Sequence, residues 1–538
     1  MTLHRQDVTL NHGRTLALMD NPDPGCWRRG ACSSRSAGAF RMTAGKPKTT
    51  FIYAGIAGKG FNSLKQGMDS GWISHGLASL SAYIKNEGFE ADLIDLRALR
   101  GWEHFREVLE QRNPDVVGLS MMSVDFNPVM EAVSIAKEVN PNIVTVVGGP
   151  HPTAEPDEVL ENPLVDYIVQ AEGEITFANL LKSIEGGSLP QNRKLLGIHP
   201  NLNTIPYADR DLFLNEWRKW GYDLVSPEVP FVKELPAPFV TIIAGRGCRY
   251  KCNFCKPMED FLFGKGTRRR SVDNVMAELV LLRDRYGFAS FMFHDDCLTE
   301  DRDWVIEFCE KYAAAGFTQP FFCQSRADIL YHHEDMVALM ASVGLKGYFI
   351  GFESGNNRVL NFIRKGTTRE KNIAAAEICR KYGLTIWANY MLGLPTETKE
   401  EVMDTVSMLK IIDPDYYSPS FYTPHPGSDL YVYGIEHDLN LVMDHDSYRR
   451  NPTEAKIKGL PLEFLMWARD ESQKRTFKNA ARRSVRSVWE KYGDPHKYVR
   501  KFKKLAGLDG GGGGISTGGP GSTGKSDRRE LKQMSTGD

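Results

Sequence analysis

The stretch PFVTIIAGRGCRYKCNFC, residues 238–255, decides how this chain is read. Its first half is an apolar, β-branched run closed by glycines, the pattern of a buried strand. Its second half sets Cys248, Cys252 and Cys255 on one loop in C-x3-C-x2-C spacing. Three thiolates this close suit a compact iron–sulfur cluster. A cubane [4Fe–4S] usually takes four cysteines, so three leave one iron open to another ligand. Zinc would call for a fourth Cys or His at short spacing, and His294 and Cys297 stand about forty residues on. The glycines before Cys248 allow a tight turn at the strand end, and Phe254 would shield the cluster.

Downstream, SFMFHDD (290–296), FFCQSRAD (321–328), GYFIGFESG (347–355), TIWANYMLGLP (385–395) and YYSPSFYTP (416–424) read as further strands. Helical segments such as VDNVMAELVLLRDRYG (272–287) separate them. Six β/α units predict a partial (β/α)6 TIM-type barrel over 238–430, with function at the C-terminal strand ends. Upstream, TTFIYAG (49–55), EADLIDL (90–96), DVVGLSMMS (115–123), NIVTVVGG (142–149) and DYIVQAEG (166–173) alternate with amphipathic segments. That alternation predicts an α/β, Rossmann-like, doubly wound parallel sheet over 48–190. Its ligands would bind beyond the carboxyl ends of the strands. Residues 191–237, with prolines at 227, 230 and 236, read as a linker. Residues 431–507 read as helical, 1–47 as a disordered leader with Met42 as an alternative start, and 508–538 as a disordered Gly/Ser-rich tail.

Lys plus Arg (67) and Asp plus Glu (68) nearly cancel across 538 residues, which argues against a nucleic-acid binder. No run approaches the ~18–20 apolar residues that span a bilayer. The opening residues lack the apolar core of a secretory signal. Nine cysteines in a chain this long do not form a disulfide framework, so a reducing, cytoplasmic compartment is expected.

The cysteine loop resembles the radical SAM signature CxxxCxφC, with Phe254 as the aromatic φ. The resemblance continues through RRRSVDNVMAEL (268–279), HDDCLT (294–299), QSRADIL (324–330), GFESGNNRVLNFIRKGTT (351–368), GLPTET (393–398) and PHPGSDLY (424–431). PDVVGLS (114–120), VVGGPHPT (146–153) and VDYIVQAEGEITF (165–177) are similar to the cobalamin-binding domain that precedes the barrel in one subgroup. Together they cover roughly residues 50–431.

This resemblance implies a [4Fe–4S] cluster on Cys248, Cys252 and Cys255, S-adenosylmethionine (SAM) on its open iron, and cobalamin. For SAM, Asp295 and Asp296 would meet the cationic amino group. Gln324, Ser325 and Arg326 end the third strand; Glu353 and Ser354 end the fourth and suit ribose hydroxyls. Gly393, Leu394 and Pro395 would let adenine approach the backbone. For cobalamin, the end loops supply Ser120, Gly148, Gly149, Glu172, Gly173 and Glu174. The Asp-x-His-x-x-Gly triplet that ligates cobalt in many cobalamin proteins is absent between residues 50 and 190. His75 and His151 lack its spacing, so corrinoid would bind without a protein imidazole, and His151 reads as a loop organiser.

The expected activity is reductive SAM cleavage and cobalamin-dependent methyl transfer to an unactivated carbon. Alternatives are ring-forming or oxidative chemistry of the anaerobic porphyrin cyclase kind, and a radical SAM enzyme with a degenerate first domain. The three-cysteine loop opposes a non-enzymatic cobalamin sensor. Expected partners are a small-molecule or lipid substrate and a one-electron donor such as flavodoxin or ferredoxin.

Other features read as structural. Cys297, Cys309, Cys323 and Cys379 look like buried thiols, with Cys297, which follows the Asp pair at a strand end, a minor candidate for substrate or radical chemistry; Cys26 and Cys32 lack metal-ligand spacing. GPGSTGKS (519–526) matches a phosphate-binding loop in form but lacks the flanking strand and helix. Lys474–Lys504 carries twelve basic residues against Glu490 and Asp494. A packed helix with a solvated basic face, or peripheral contact with anionic groups or membrane, would both fit.

Overall fold

The computed structural model describes residues 45–476 and Asn479, apart from 58, 65, 67–70, 223–225, 227, 443 and 449–453. Cys26, Cys32, the 519–526 motif and nearly all of the basic segment 474–504 lie outside the described residues. No described helix is long and apolar enough to cross a membrane.

Six parallel strands form the first sheet: β1 Thr49–Tyr53, β2 Ala91–Asp95, β3 Val116–Ser120, β4 Val144–Gly148, β5 Tyr167–Gln170 and β6 Lys194–Leu196. Their order is β2-β1-β3-β4-β5-β6. Successive side chains point to opposite faces of a strand, and here both faces are covered. Phe51, Leu93, Val116, Val146 and Tyr167 pack under helices His75–Asn86 and Glu174–Glu185. Ile52, Ile94, Val117, Val147 and Ile168 pack under Trp102–Arg112 and Phe126–Val139. Burial on both sides explains why these strands read as continuous apolar runs. The sheet is doubly wound, as expected.

The segment 191–237 is more than a linker. It contributes β6 to the sheet edge and a helix, Asp211–Lys219, whose Leu212, Phe213 and Trp217 enter the same core as Phe51. Two causes hid these elements. β6 has three residues, none of them fully buried, and the helix, amphipathic but only nine residues long, lies in a stretch read as extended from its prolines.

The second sheet begins with β7 Phe239–Ile242. A two-stranded antiparallel hairpin follows, β8 Gly245–Arg246 with β9 Arg268–Arg269. Then come β10 Ser290–Phe293, β11 Phe321–Arg326, β12 Leu345–Glu353, β13 Thr385–Leu392 and β14 Tyr416–Phe421. The order β14-β13-β12-β11-β10-β7 is sequential and every pairing is parallel, so the sheet curls into an open half-barrel. Alternation again sorts the side chains. Phe291, Phe293, Phe321 and Tyr348 point out under the helices, whereas Met292, Phe322 and Phe349 point into the lumen. Helix Leu462–Gln473 packs Leu465 and Ala468 into the outer core, and Ser472 Oγ lies 2.5 Å from Tyr390 Oη.

Candidate active site between the two sheets

The carboxyl end of the first sheet faces the carboxyl end of the barrel across one cavity of about 870 Å³. Tyr53, Trp72, Ile73 and Met122 line it from the first sheet's side, and Met292, Phe349 and Trp387 form part of its apolar lining in the barrel. That volume falls within the range of small-molecule and cofactor sites.

Cys248, Cys252 and Cys255 all line this cavity. Their loop is fixed locally and from across the barrel. The amides of Cys255 and Lys256 donate to Cys252 O at 3.1 and 2.9 Å, while Lys256 Nζ donates to Cys248 O at 2.8 Å. Asn253 reaches helix Asn357–Phe362, its Nδ2 donating to Phe362 O at 2.8 Å. Burial pushes the Cys248 thiol up to about 12, so a lone thiolate is disfavoured there and a bound cation would offset that cost. Arg326 Nη1 lies 3.5 Å from Cys252 Sγ, and its guanidinium stacks 3.7 Å above Tyr250.

The other predicted SAM residues divide. Asp296, Gln324, Ser325, Arg326 and Glu353 line the cavity with the cysteines. Asp295 does not; its Oδ2 accepts from the Ala244 amide at 2.9 Å, tying β7 to β10. Ser354 is fully buried, 3.3 Å from Thr405 Oγ1. Gly393, Leu394 and Pro395 are not part of the wall, and the amides of Gly393 and Leu394 donate to Glu397 Oε2 at 2.8 and 3.1 Å.

Glu353 ends its strand at φ +59, in the left-handed region, and receives a 2.9 Å bond from the buried Lys365 Nζ. Gly351 makes that return possible: a Cβ there would stand 2.4 Å from Glu353 Oε1 and 2.8 Å from Lys365 Nζ. Lys365 lines the cavity, as do Glu259, Asn389, Ser418 and His425. Sequence reasoning missed all five. Lys365 stood inside the quoted GFESGNNRVLNFIRKGTT, and Asn389 and Ser418 stand on the last two strands. Glu259 Oε1 is buried without a hydrogen-bond partner. Burial and the neighbouring Asp296 charge push the Glu259 carboxyl up to about 7. Three thiols and two adjoining carboxyl groups on one cavity are a donor set that fits an iron–sulfur cluster with a cosubstrate bearing a cationic amino group.

The predicted cobalamin residues sit elsewhere. Glu172 and Glu174 are buried and held by the barrel: Arg246 lies 2.6 Å from Glu172 Oε1 and 2.8 Å from Glu174 Oε1. Arg268 also pairs with Glu172, and His199 Nδ1 lies 2.6 Å from its Oε2. Gly149, at φ +107, serves loop packing, since a Cβ would meet Met121 O at 2.9 Å and Ser120 Oγ at 3.2 Å. A Cβ on Gly148 would approach Val169 O at 3.3 Å, and one on Gly173 would approach Leu80 Cδ2 at 3.2 Å. Both imidazoles of the first domain weighed above are engaged, His75 Nε2 with Thr241 Oγ1 at 2.6 Å and His151 Nδ1 with Ser123 Oγ at 3.1 Å. The space between Tyr53 and Met122 and the cysteine loop is where a corrinoid would lie, and neither His75 nor His151 lines it.

Comparison with known proteins gives the same two-part division. Residues 69–181 match the B12 binding domain family and residues 242–409 the radical SAM superfamily. An uncharacterized methyltransferase of Pyrococcus horikoshii is 30% identical over 407 residues, 72% of this chain and 84% of that protein. The anaerobic magnesium-protoporphyrin IX monomethyl ester cyclase of Rubrivivax gelatinosus is 28% identical over 67% of this chain and 66% of the cyclase. Among solved structures, the cobalamin-dependent SAM radical enzyme OxsB superposes with a TM-score of 0.58 at 17% identity, covering 74% of this chain and 63% of OxsB. The methyltransferase TsrM of Kitasatospora setae gives 0.53 at 17% identity, covering 72% and 74%.

Proposed function

The chain belongs to the radical SAM enzymes that carry an N-terminal B12-binding domain, and from that premise we propose that it transfers a methyl group to an unactivated carbon. One observation carries the proposal: the three cysteines and the strand ends of the first sheet open on the same cavity. A methyl donor held at Tyr53 and Met122 and a radical generated at the cysteines would then reach one substrate. When bound, the cluster and SAM supply a 5′-deoxyadenosyl radical, and the corrinoid supplies the methyl group.

The residues of this chain divide the remaining work. Cys248, Cys252 and Cys255 would hold iron. Asp296 and Glu259 would accept the amino group of SAM, whose positive charge relieves their mutual repulsion. Glu353, oriented by Lys365, would accept from ribose hydroxyls. Phe349, Trp387 and Trp72 would pack an apolar or planar part of the substrate and keep water from the radical, while Asn389 and Ser418 offer it hydrogen bonds. The same aromatic lining suits the ring-forming alternative, which the likeness to the porphyrin cyclase supports.

A one-electron donor such as flavodoxin or ferredoxin would reduce the cluster. Residues 474–504 would provide any contact with an anionic lipid surface, which vesicle co-sedimentation at low and high salt would test. The buried free thiols Cys309, Cys323 and Cys379 suit a reducing cytoplasm.

The test is anaerobic reconstitution with iron, sulfide and hydroxocobalamin, followed by SAM turnover with methyl-labelled SAM. 5′-Deoxyadenosine together with labelled methyl on a carbon of the substrate is the expected result. 5′-Deoxyadenosine with an oxidised or cyclised, unlabelled product would establish the alternative, and a protein that retains no corrinoid would exclude both.

A further inference from the structure

Away from the cysteines, the first domain meets the C-terminal region through three side chains that metal ions favour. His151 lies in the short helix Pro150–Ala154, Glu158 belongs to the next helix, Pro156–Glu161, and His445 begins the 3-10 turn His445–Tyr448. His151 Nε2 lies 3.1 Å from Glu158 Oε2, and His445 Nε2 lies 3.1 Å from Glu158 Oε1. One ligand atom from each residue falls within 4.8 Å of the other two. We propose that His151, Glu158 and His445 bind one divalent transition-metal ion, apart from the cluster and independently of the reaction.

The burial of His151 and the convergence of both imidazoles on Glu158 are what point to a metal. The His151 ring is 1% exposed, and a carboxylate oxygen stands 3.1 Å from its Nε2. Both imidazoles act on this one carboxylate and hold it down to about 2, so Glu158 is ionised and available as a ligand between them. Two ligands converging on a third point show this geometry. Metal–ligand bonds of about 2.0–2.2 Å turn an N···O separation of 3.1 Å into a roughly right-angled N–metal–O arrangement. The outer groups agree. His151 Nδ1 lies 3.1 Å from Ser123 Oγ, an outer partner that can accept the Nδ1 proton when Nε2 ligates a metal.

The surroundings hold both imidazoles in place. Phe126 stacks on His445 at 3.8 Å with the planes 9° apart, and meets the His151 ring edge-on at 5.4 Å. His445 is the most distant ligand in sequence, and its side chain is 21% exposed, which gives a metal an entry path. Two imidazoles and one carboxylate suit zinc and its first-row neighbours over calcium or magnesium, which prefer oxygen. Three protein ligands also leave a position for water. Tyr448, in the same turn as His445, stacks on His425 at 5.5 Å, and His425 lines the main cavity. The ion would thus fasten a piece of the cavity wall to the first sheet.

The test uses the full chain with its cluster reconstituted, dialysed against zinc(II) and assayed for zinc and iron together. The expected result is one zinc per chain in addition to the cluster iron, with affinity at least about tenfold lower in His445→Ala and in Glu158→Gln and iron content unchanged. His445 is partly exposed and Glu158→Gln conserves shape, so neither variant relies on a buried deletion. A Cys248, Cys252 and Cys255 triple-Ala chain should still take up one zinc. Zinc that persists in His445→Ala and Glu158→Gln, zinc lost with the cysteines, or no zinc beyond background would each overturn the site.

Discussion

Arg246 Nη1 lies 2.6 Å from Glu172 Oε1 and Nη2 lies 2.8 Å from Glu174 Oε1, so the strand end that leads into Cys248 is clamped to the first sheet. The two carboxylates are 3% and 5% exposed at their side chains. Removing one member of a buried ion pair leaves the other charge uncompensated, which typically costs about 3–5 kcal/mol. Arg246→Met should therefore lower unfolding stability by an amount of that order, whereas Glu174→Gln should cost less because Glu172 remains. A surface substitution such as Glu103→Gln is the control. Denaturant unfolding of the three variants reads the order directly, and equal stability of Arg246→Met and wild type would show that the clamp contributes nothing.

The three cavity cysteines should be separable from the core cysteines by cluster content. Cys248→Ala, Cys252→Ala and Cys255→Ala are each expected to lose the site-bound cluster and reductive SAM cleavage. Cys309→Ala and Cys379→Ala remove fully buried thiols of the barrel core and should lower stability while leaving iron, sulfide and SAM cleavage in place. Iron and sulfide assays with product analysis on the five variants decide it.

Arg326 sets a fixed positive charge 3.5 Å from Cys252 Sγ. Cluster potentials respond to nearby charge and to hydrogen bonds on the sulfurs, and a cation favours the more negative, reduced state. Arg326→Met is expected to make the cluster harder to reduce at unchanged iron content. An EPR-monitored redox titration checks the direction; a potential that does not move, or moves up, would assign Arg326 to holding Tyr250 and Asp328 instead.

The elements legible in the sequence were those whose signal is local. Phe51 and Ile52, or Phe291 and Met292, are neighbours that bury on opposite sides of a strand, so covered strands appear as unbroken apolar runs. The cysteines were legible because all three ligands lie within eight residues of chain. The site became illegible where partners are distant. Glu172 and Arg246 are 74 residues apart, and nothing in VQAEGE says that these acids face an arginine rather than a cofactor. Strand-end placement brought Asp296, Gln324 and Glu353 to the cavity, but it does not distinguish a side chain pointing into the lumen from one capping its neighbour. That is why Asp295 and Ser354, each beside a cavity residue, turned out to bond to backbone and to helix. Gly393 marked a real turn, but a carboxylate four residues later uses its amide.

That carboxylate, Glu397, gives a pH test remote from the cysteines. It is 6% exposed, its Oε2 accepts from the amides of Gly393 and Leu394, and its Oε1 is buried without a partner. Burial outweighs the two amide bonds and pushes the carboxyl up to about 7 from an ordinary 4.5. Below about 4.5 both folded and unfolded chains hold the proton, so this group adds no pH dependence. Between about 4.5 and 7 the unfolded chain releases the proton while the folded chain keeps it, so stability falls as pH rises, and the loss levels off above about 7. A shift of this size corresponds to a loss on the order of 3 kcal/mol at pH 8. Glu397→Gln keeps a carbonyl oxygen for the two amides and cannot ionise. The variant and wild type should differ little in their pH response near pH 5, with the variant gaining on wild type as pH rises to 8. Denaturant unfolding at pH 5, 6, 7 and 8 measures the gap. Parallel curves would mean that the folded chain ionises Glu397 as readily as the unfolded one.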